Sequence, residues 1–295
     1  MNSPDGRRPT LADVITAGSG RPSRGVIYGP EGGGKTSLGC MFPGPIGLMT
    51  RGETGLETLI DAGRVPETPH FPELSSFQAA LDAIRLLTDQ QHNYRTLVID
   101  TINGVERLCH EHVCQREFGG RWGRDGFTSF NTGYEVALAY WRELLGALDR
   151  LREVRRMGII ALAHAKIAPF KNPEGADYDR FTPDLHPKTW GLTHKWADYV
   201  LFLNFETYVD GDRSQRAKGK GGTRRVLHTE RTAAFDAKNR HGLPERIDCG
   251  DSAAEAWANL AAAMKAAKAS TQVQGQPADV PPEQPQVSSD RKDGE

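Results

Sequence analysis

Residues 25–37 read GVIYGPEGGGKTS. A short run of strand character enters a glycine-rich turn, and the turn enters a helix that begins at Lys35. The pattern is Gly29-x-x-x-x-Gly34-Lys35-Thr36, in the strand-then-helix setting that a phosphate-binding loop requires. Glycines let the backbone curl so that successive N–H groups point inward at a phosphate. The helix N-terminus adds partial positive charge. On this reading Gly29, Pro30, Glu31, Gly32, Gly33, Gly34, Lys35, Thr36 and Ser37 cradle a nucleotide, ATP. Lys35 reaches its β- and γ-phosphates, and the Thr36 hydroxyl binds Mg²⁺.

Working outward, short apolar runs alternate with helical stretches. The strands are GVIYG (25–29), IGLMT (46–50), TLVID (96–100), GIIALAH (158–164) and DYVLFLN (198–204). Their near-continuous apolar character marks strands buried on both faces. Residues 35–42, 75–89, 102–117 and 134–156 read as helices. The alternation predicts an α/β fold with a mostly parallel sheet flanked by helices. Three later runs, 224–230, 232–240 and 245–250, have no helix between them and predict a C-terminal antiparallel extension.

A phosphate cradle needs a metal carboxylate at the end of a neighbouring strand. Asp100, ending RTLVID, is the candidate, holding Mg²⁺ through a water; otherwise it only starts the next helix. Glu53 lies in the loop after the second strand, where ligands collect in open α/β sheets. It is the candidate general base for hydrolysis, against a plain loop carboxylate, while Glu57 reads as a surface helix residue. His164 ends its strand at the same sheet edge. It is either a packed core histidine or a γ-phosphate contact that signals to the following loop.

The loop motif, the Glu in RGETGL, the strand ending VIDT, the segment AHAKI and a late DAKNRHGLP together resemble the RecA-like phage ATPases. These are AAA-type nucleotide-binding proteins that include the single-strand annealing proteins of the Sak group. The resemblance spans residues 24–250. It implies a RecA-like P-loop NTPase core, DNA-stimulated ATP hydrolysis, self-assembly with shared ATP sites, and action on single-stranded DNA in recombination or annealing. A single-strand-binding protein is a further candidate partner. The resemblance also implies that Lys238 and Arg240 reach a neighbour's γ-phosphate. In an extended strand these two cations share a face, about 7 Å apart, and a guanidinium there can contribute about 10³-fold in rate. The plain alternative is an edge strand whose cations guard against aggregation.

Two long segments offer cations interleaved with rings, a pattern that suits single-stranded nucleic acid. Residues 116–133 give Arg121 and Arg124 with Trp122, Phe127 and Phe130; residues 165–190 give Lys166, Lys171, Arg180 and Lys188 with Phe170, Tyr178 and Phe181. Both read as loops whose rings otherwise pack the chain down. A basic run at 213–225 reads as a hairpin tip, phosphate-binding or merely solvated. CHEHVC (109–114) imitates a metal site, but its two Cys/His pairs point in different directions on a helix, and packing is the reading kept.

The formal net charge of −1 excludes binding of polyanions by bulk charge. Four cysteines without a CxxC pair fit a reducing compartment. No run approaches a bilayer span and no signal peptide is evident, so the expected location is cytoplasmic, in a bacterial host if phage-encoded. The expected organisation is a flexible arm (1–23) in which residues 10–13 cap one short helix, the ATPase core (24–250), a C-terminal helix (251–268) and a disordered tail (269–295). Rival functions on the same loop are a small-molecule phosphotransferase, and an ATP-binding assembly module without turnover.

Overall fold

The computed structural model describes residues 20–210 and 218–274. The short helix expected to be capped by 10–13, part of the basic run, and the expected tail beyond 274 lie outside them; residues 269–274, expected within that tail, instead continue the C-terminal helix. Strands β1 (Arg24–Gly29), β2 (Pro45–Met49), β3 (Thr96–Asp100), β4 (Gly158–Phe170) and β6 (Tyr199–Asp210) build the parallel sheet in the order β2-β3-β4-β1-β6. It continues antiparallel through β7 (Lys218–His228) and β9 (Arg246–Asp248). A mostly parallel sheet with a C-terminal antiparallel extension is the architecture its sequence predicts.

Helices cover both faces. On one side α3 (Phe77–Asp89), α4 (Ile102–Phe118) and α5 (Thr132–Arg155) pack on Val26, Tyr28, Leu97, Ile99, Ile159 and Ala161. On the other, α1 (Lys35–Gly39) and α7 (Ala253–Gln274) cover Ile27, Val98, Ile160, Leu162 and Leu201. Successive strand residues therefore enter opposite cores, which is why these strands carry no polar face. Ser252 caps the start of α7: its Oγ accepts from Glu255 N–H (3.1 Å), while Glu255 Oε2 accepts from Asp251 N–H (2.7 Å).

Two expectations need correction. Residues 165–190 are not a loop. β4 runs on to Phe170 and pairs antiparallel with β5 (Tyr178–Pro183), and α6 (Pro187–Trp196) follows. The prolines of this segment are tolerated here, with Pro187 in the first turn of α6. The run 232–240 is not a strand either. Only β8 (Lys238–Asn239) pairs with β6, because residues before it turn, with Thr232 N–H donating to Phe235 O. No helix among the described residues is long and apolar enough to cross a membrane.

Candidate functional site

The parallel register brings the candidate residues to one edge. Gly29 on β1 pairs with His164 on β4, while Asp100 on β3 pairs with Met49 and Leu162. All lie at the carboxyl ends of the strands, where the glycine loop, the β2–α2 loop (α2 being Gly55–Asp61) and α4 begin. A cleft of about 410 Å³ opens there, lined by Glu31, Lys35, Thr36, Glu53, Asp100 and His164 with the loop glycines.

Lys35 is buried, and its ammonium donates to Gly29 O (3.0 Å) and Pro30 O (2.8 Å). Burial lowers its pKa, and the charges of Asp100, Glu53 and Glu31 oppose that shift. Gly34 has φ +91°, a left-handed conformation that a side chain would strain. Thr36 Oγ1 donates to Asp100 Oδ2 at 2.6 Å. Asp100 is deeply buried, and desolvation pushes its pKa up against the Thr36 hydrogen bond. A hydroxyl and a carboxylate so close are two hard oxygen donors facing one cleft, a set that fits Mg²⁺.

Glu53 is placed by a small network. His164 Nε2 donates to Glu53 Oε1 (2.9 Å), and Thr101 Oγ1 reaches the same oxygen at 3.4 Å. Asn103 Oδ1 accepts from His164 N–H (3.2 Å). The His164 hydrogen bond holds the Glu53 carboxyl below its ordinary range, although burial pushes the other way. His164 Nδ1 is buried without a hydrogen-bond partner among the described residues. Thr101 and Asn103 escape a reading of the sequence because nothing in their spacing says they will support Glu53 and His164. Only the helix start after Asp100 hints at them.

The late cations are not the pair expected. Lys238 Nζ donates to His194 O, Lys195 O (3.3 Å) and Ala197 O, and so caps the C-terminal turn of α6 in its own chain. Burial lowers its pKa, with the charge of Arg240 adding to the effect. Arg240 lies beyond the two-residue β8 and is exposed. β8 pairs with β6 at Tyr199 and Val200, at the strand end opposite the glycine loop.

The second cation segment also differs from expectation. Lys166 pairs with Asp184 (3.1 Å) and donates to Leu185 O (2.8 Å). Lys171 pairs with Asp177, Lys188 with Glu135, and Arg180 with Asp236 at 4.0 Å while stacking on Phe170. Each positive charge thus has an internal carboxylate, and the hairpin is not a bare cationic surface. In the first segment Phe127 is fully buried, and Trp122 stacks on it at 4.6 Å. Arg121 and Arg124 are exposed, and Phe130 is 99% exposed.

The CHEHVC side chains are taken up in packing. Cys109 and Cys114 are buried, His110 meets Phe127 and Tyr134, and His112 meets Phe77 and Tyr140. Glu106, unremarked in the sequence, is buried on α4, and both its oxygens accept from His186 N–H at the start of α6 (3.0 and 3.1 Å). Desolvation raises its pKa to about 7.

A family model described as an AAA domain matches residues 21–241. No curated protein matches the chain. Among solved structures, the chain is similar to that of the RadB recombinase, at 14% identity and TM-score 0.43, covering 80% of this chain and 90% of that one. It is also similar to the flagellar accessory protein FlaH from Methanocaldococcus jannaschii, at 12% identity and TM-score 0.39, covering 77% and 84%.

Proposed function

The chain belongs to this AAA domain family, and from that premise we propose that it is a Mg²⁺-dependent ATPase that acts on single-stranded DNA in annealing or strand exchange. The observation that carries the ATPase reading is the convergence of Lys35, the Thr36–Asp100 pair and the Glu53–His164 pair on one cleft. Lys35 holds the β- and γ-phosphates. Thr36 and Asp100 would hold Mg²⁺, which would neutralise phosphate charge when bound. Glu53 accepts a proton from a water whose oxygen forms a new bond to the γ-phosphorus. The bond from that phosphorus to the β–γ bridging oxygen breaks, leaving ADP and inorganic phosphate. His164, hydrogen-bonded through Nε2 to Glu53 Oε1, orients the base.

The DNA reading rests on the resemblance to Sak-group annealing proteins and on Arg121, Arg124, Trp122 and Phe130, exposed together on the α4–α5 connection. Lys166, Lys171, Arg180 and Lys188 are secondary, since phosphate would have to displace a carboxylate from each. Arg240 can serve a triphosphate only in a second copy, because it stands at the sheet edge away from its own loop.

The test is ATP turnover with and without single-stranded DNA, paired with a salt titration of DNA binding. DNA should stimulate turnover. Replacing Arg121 and Arg124 by Ala should weaken binding and reduce the salt slope by about 1.4. Turnover indifferent to DNA would instead point to a small-molecule phosphotransferase.

A further inference from the structure

The glycine loop has a second side. Arg225, on β7, is half-buried against it. A Cβ built on Gly34 would stand 2.5 Å from Arg225 Nη1, so only a residue without a side chain lets this guanidinium come so near the loop. Among the described residues the guanidinium has no ion-pair or hydrogen-bond partner, whereas Arg246 nearby pairs with Glu206. In the sequence, Arg225 merely closes a basic run. In the fold it stands at the nucleotide cradle.

Around it opens a second cleft of about 550 Å³, lined by Gly32, Gly34, Ser37, Arg64, Arg225 and Asp251. It shares Gly32 and Gly34 with the first cleft. None of Lys35, Thr36, Glu53, Asp100 or His164 lines it. The two clefts are the two flanks of one glycine wall. A nucleotide with its terminal phosphates against Lys35 must put its nucleoside elsewhere, and this cleft lies within the size range of ligand pockets, about 300–1,000 Å³. Its polar groups suit that load. A planar guanidinium fork matches phosphate oxygens, and a carboxylate only accepts hydrogen bonds, as ribose hydroxyls require.

We propose that Arg225 binds, within its own chain, the phosphate nearest the nucleoside, and that the second cleft houses the nucleoside with Asp251 facing its ribose. The proposal rests on the ATPase reading above and names a binding residue that the loop motif does not contain. Because AMP, ADP and ATP share that phosphate, Arg225 acts on nucleotides regardless of how many phosphates follow.

Equilibrium binding of ATP and ADP to the full chain tests it, with Lys35→Ala, Arg225→Gln and Arg225→Lys as variants. Arg225→Gln should weaken ATP and ADP by the same factor, about 10- to 100-fold. It should raise KM for ATP by that factor with kcat within about twofold. Wild-type affinity in Arg225→Gln overturns the proposal. So does a loss confined to ATP, which would move Arg225 to the γ-phosphate. Should Arg225→Gln melt early without nucleotide, Arg225→Lys carries the test: folded, it should bind several-fold more weakly, and unchanged affinity overturns the proposal. If the wild type binds no nucleotide and Lys35→Ala changes nothing, the ATPase reading itself has failed; intact Lys35 dependence with Arg225 indifference fails only the inference.

Discussion

As the proposed base, Glu53 must be ionised to act, and its neighbours favour the charged form. The hydrogen bond from His164 is the largest cause lowering its pKa, opposed by burial. Its charged form therefore persists to pH values below the ordinary glutamate range. The acid limb of kcat in the wild type should lie below that range. His164→Ala removes the stabilising donor, the Glu53 pKa rises, and the limb should move to higher pH. A pH–rate profile checks this, and an unmoved limb would show that His164 does not tune the base. This scale was the most legible in sequence for Lys35, Thr36 and Asp100, because their meeting at one cleft follows from spacing next to strand ends. It was least legible for Thr101, Asn103 and Arg225. Their partners are 48, 61 and 191 positions away, and only the folded register brings them together.

At the scale of elements, α6 is held at both ends by other parts of the chain. Lys238 caps its last carbonyls, and Glu106 accepts from the N–H of His186, its N-cap. Lys238→Met should leave those carbonyls less satisfied and lower unfolding stability by about 1–3 kcal/mol, with ATP affinity unchanged. Denaturant unfolding with nucleotide titration checks both halves. Glu106 has its pKa raised from 4.5 to about 7, so between those values the folded state binds more protons than the unfolded one. Its contribution is therefore fully present below about 4.5 and lost as pH rises through about 7. Stability measured between pH 5 and 8 should fall more steeply in the wild type than in Glu106→Gln, and parallel curves would contradict this. Neither end of α6 was visible in sequence. The helix hides behind Pro183 and Pro187, and Lys238 looks like a strand cation until the chain before it is seen to turn. The five parallel strands were legible, because burial on both faces leaves an unbroken apolar run.

Across the whole molecule, the nucleotide edge and the Arg240 edge lie at opposite ends of β1, so a single copy cannot bring them together. If a neighbour completes the site, turnover per subunit should rise with protein concentration, and Arg240→Ala should flatten that rise while sparing nucleotide binding. Turnover per subunit independent of concentration would confine hydrolysis to one copy. Either outcome leaves standing the central claim, that Lys35 and Glu53 divide binding and chemistry between them. Single-turnover release of γ-phosphate from ATP with Mg²⁺, beside equilibrium ATP binding, tests that claim most directly. Glu53→Gln should bind ATP as the wild type does yet release phosphate at least about 100-fold more slowly, and Lys35→Ala should do neither. Phosphate release by Glu53→Gln at the wild-type rate would contradict the account.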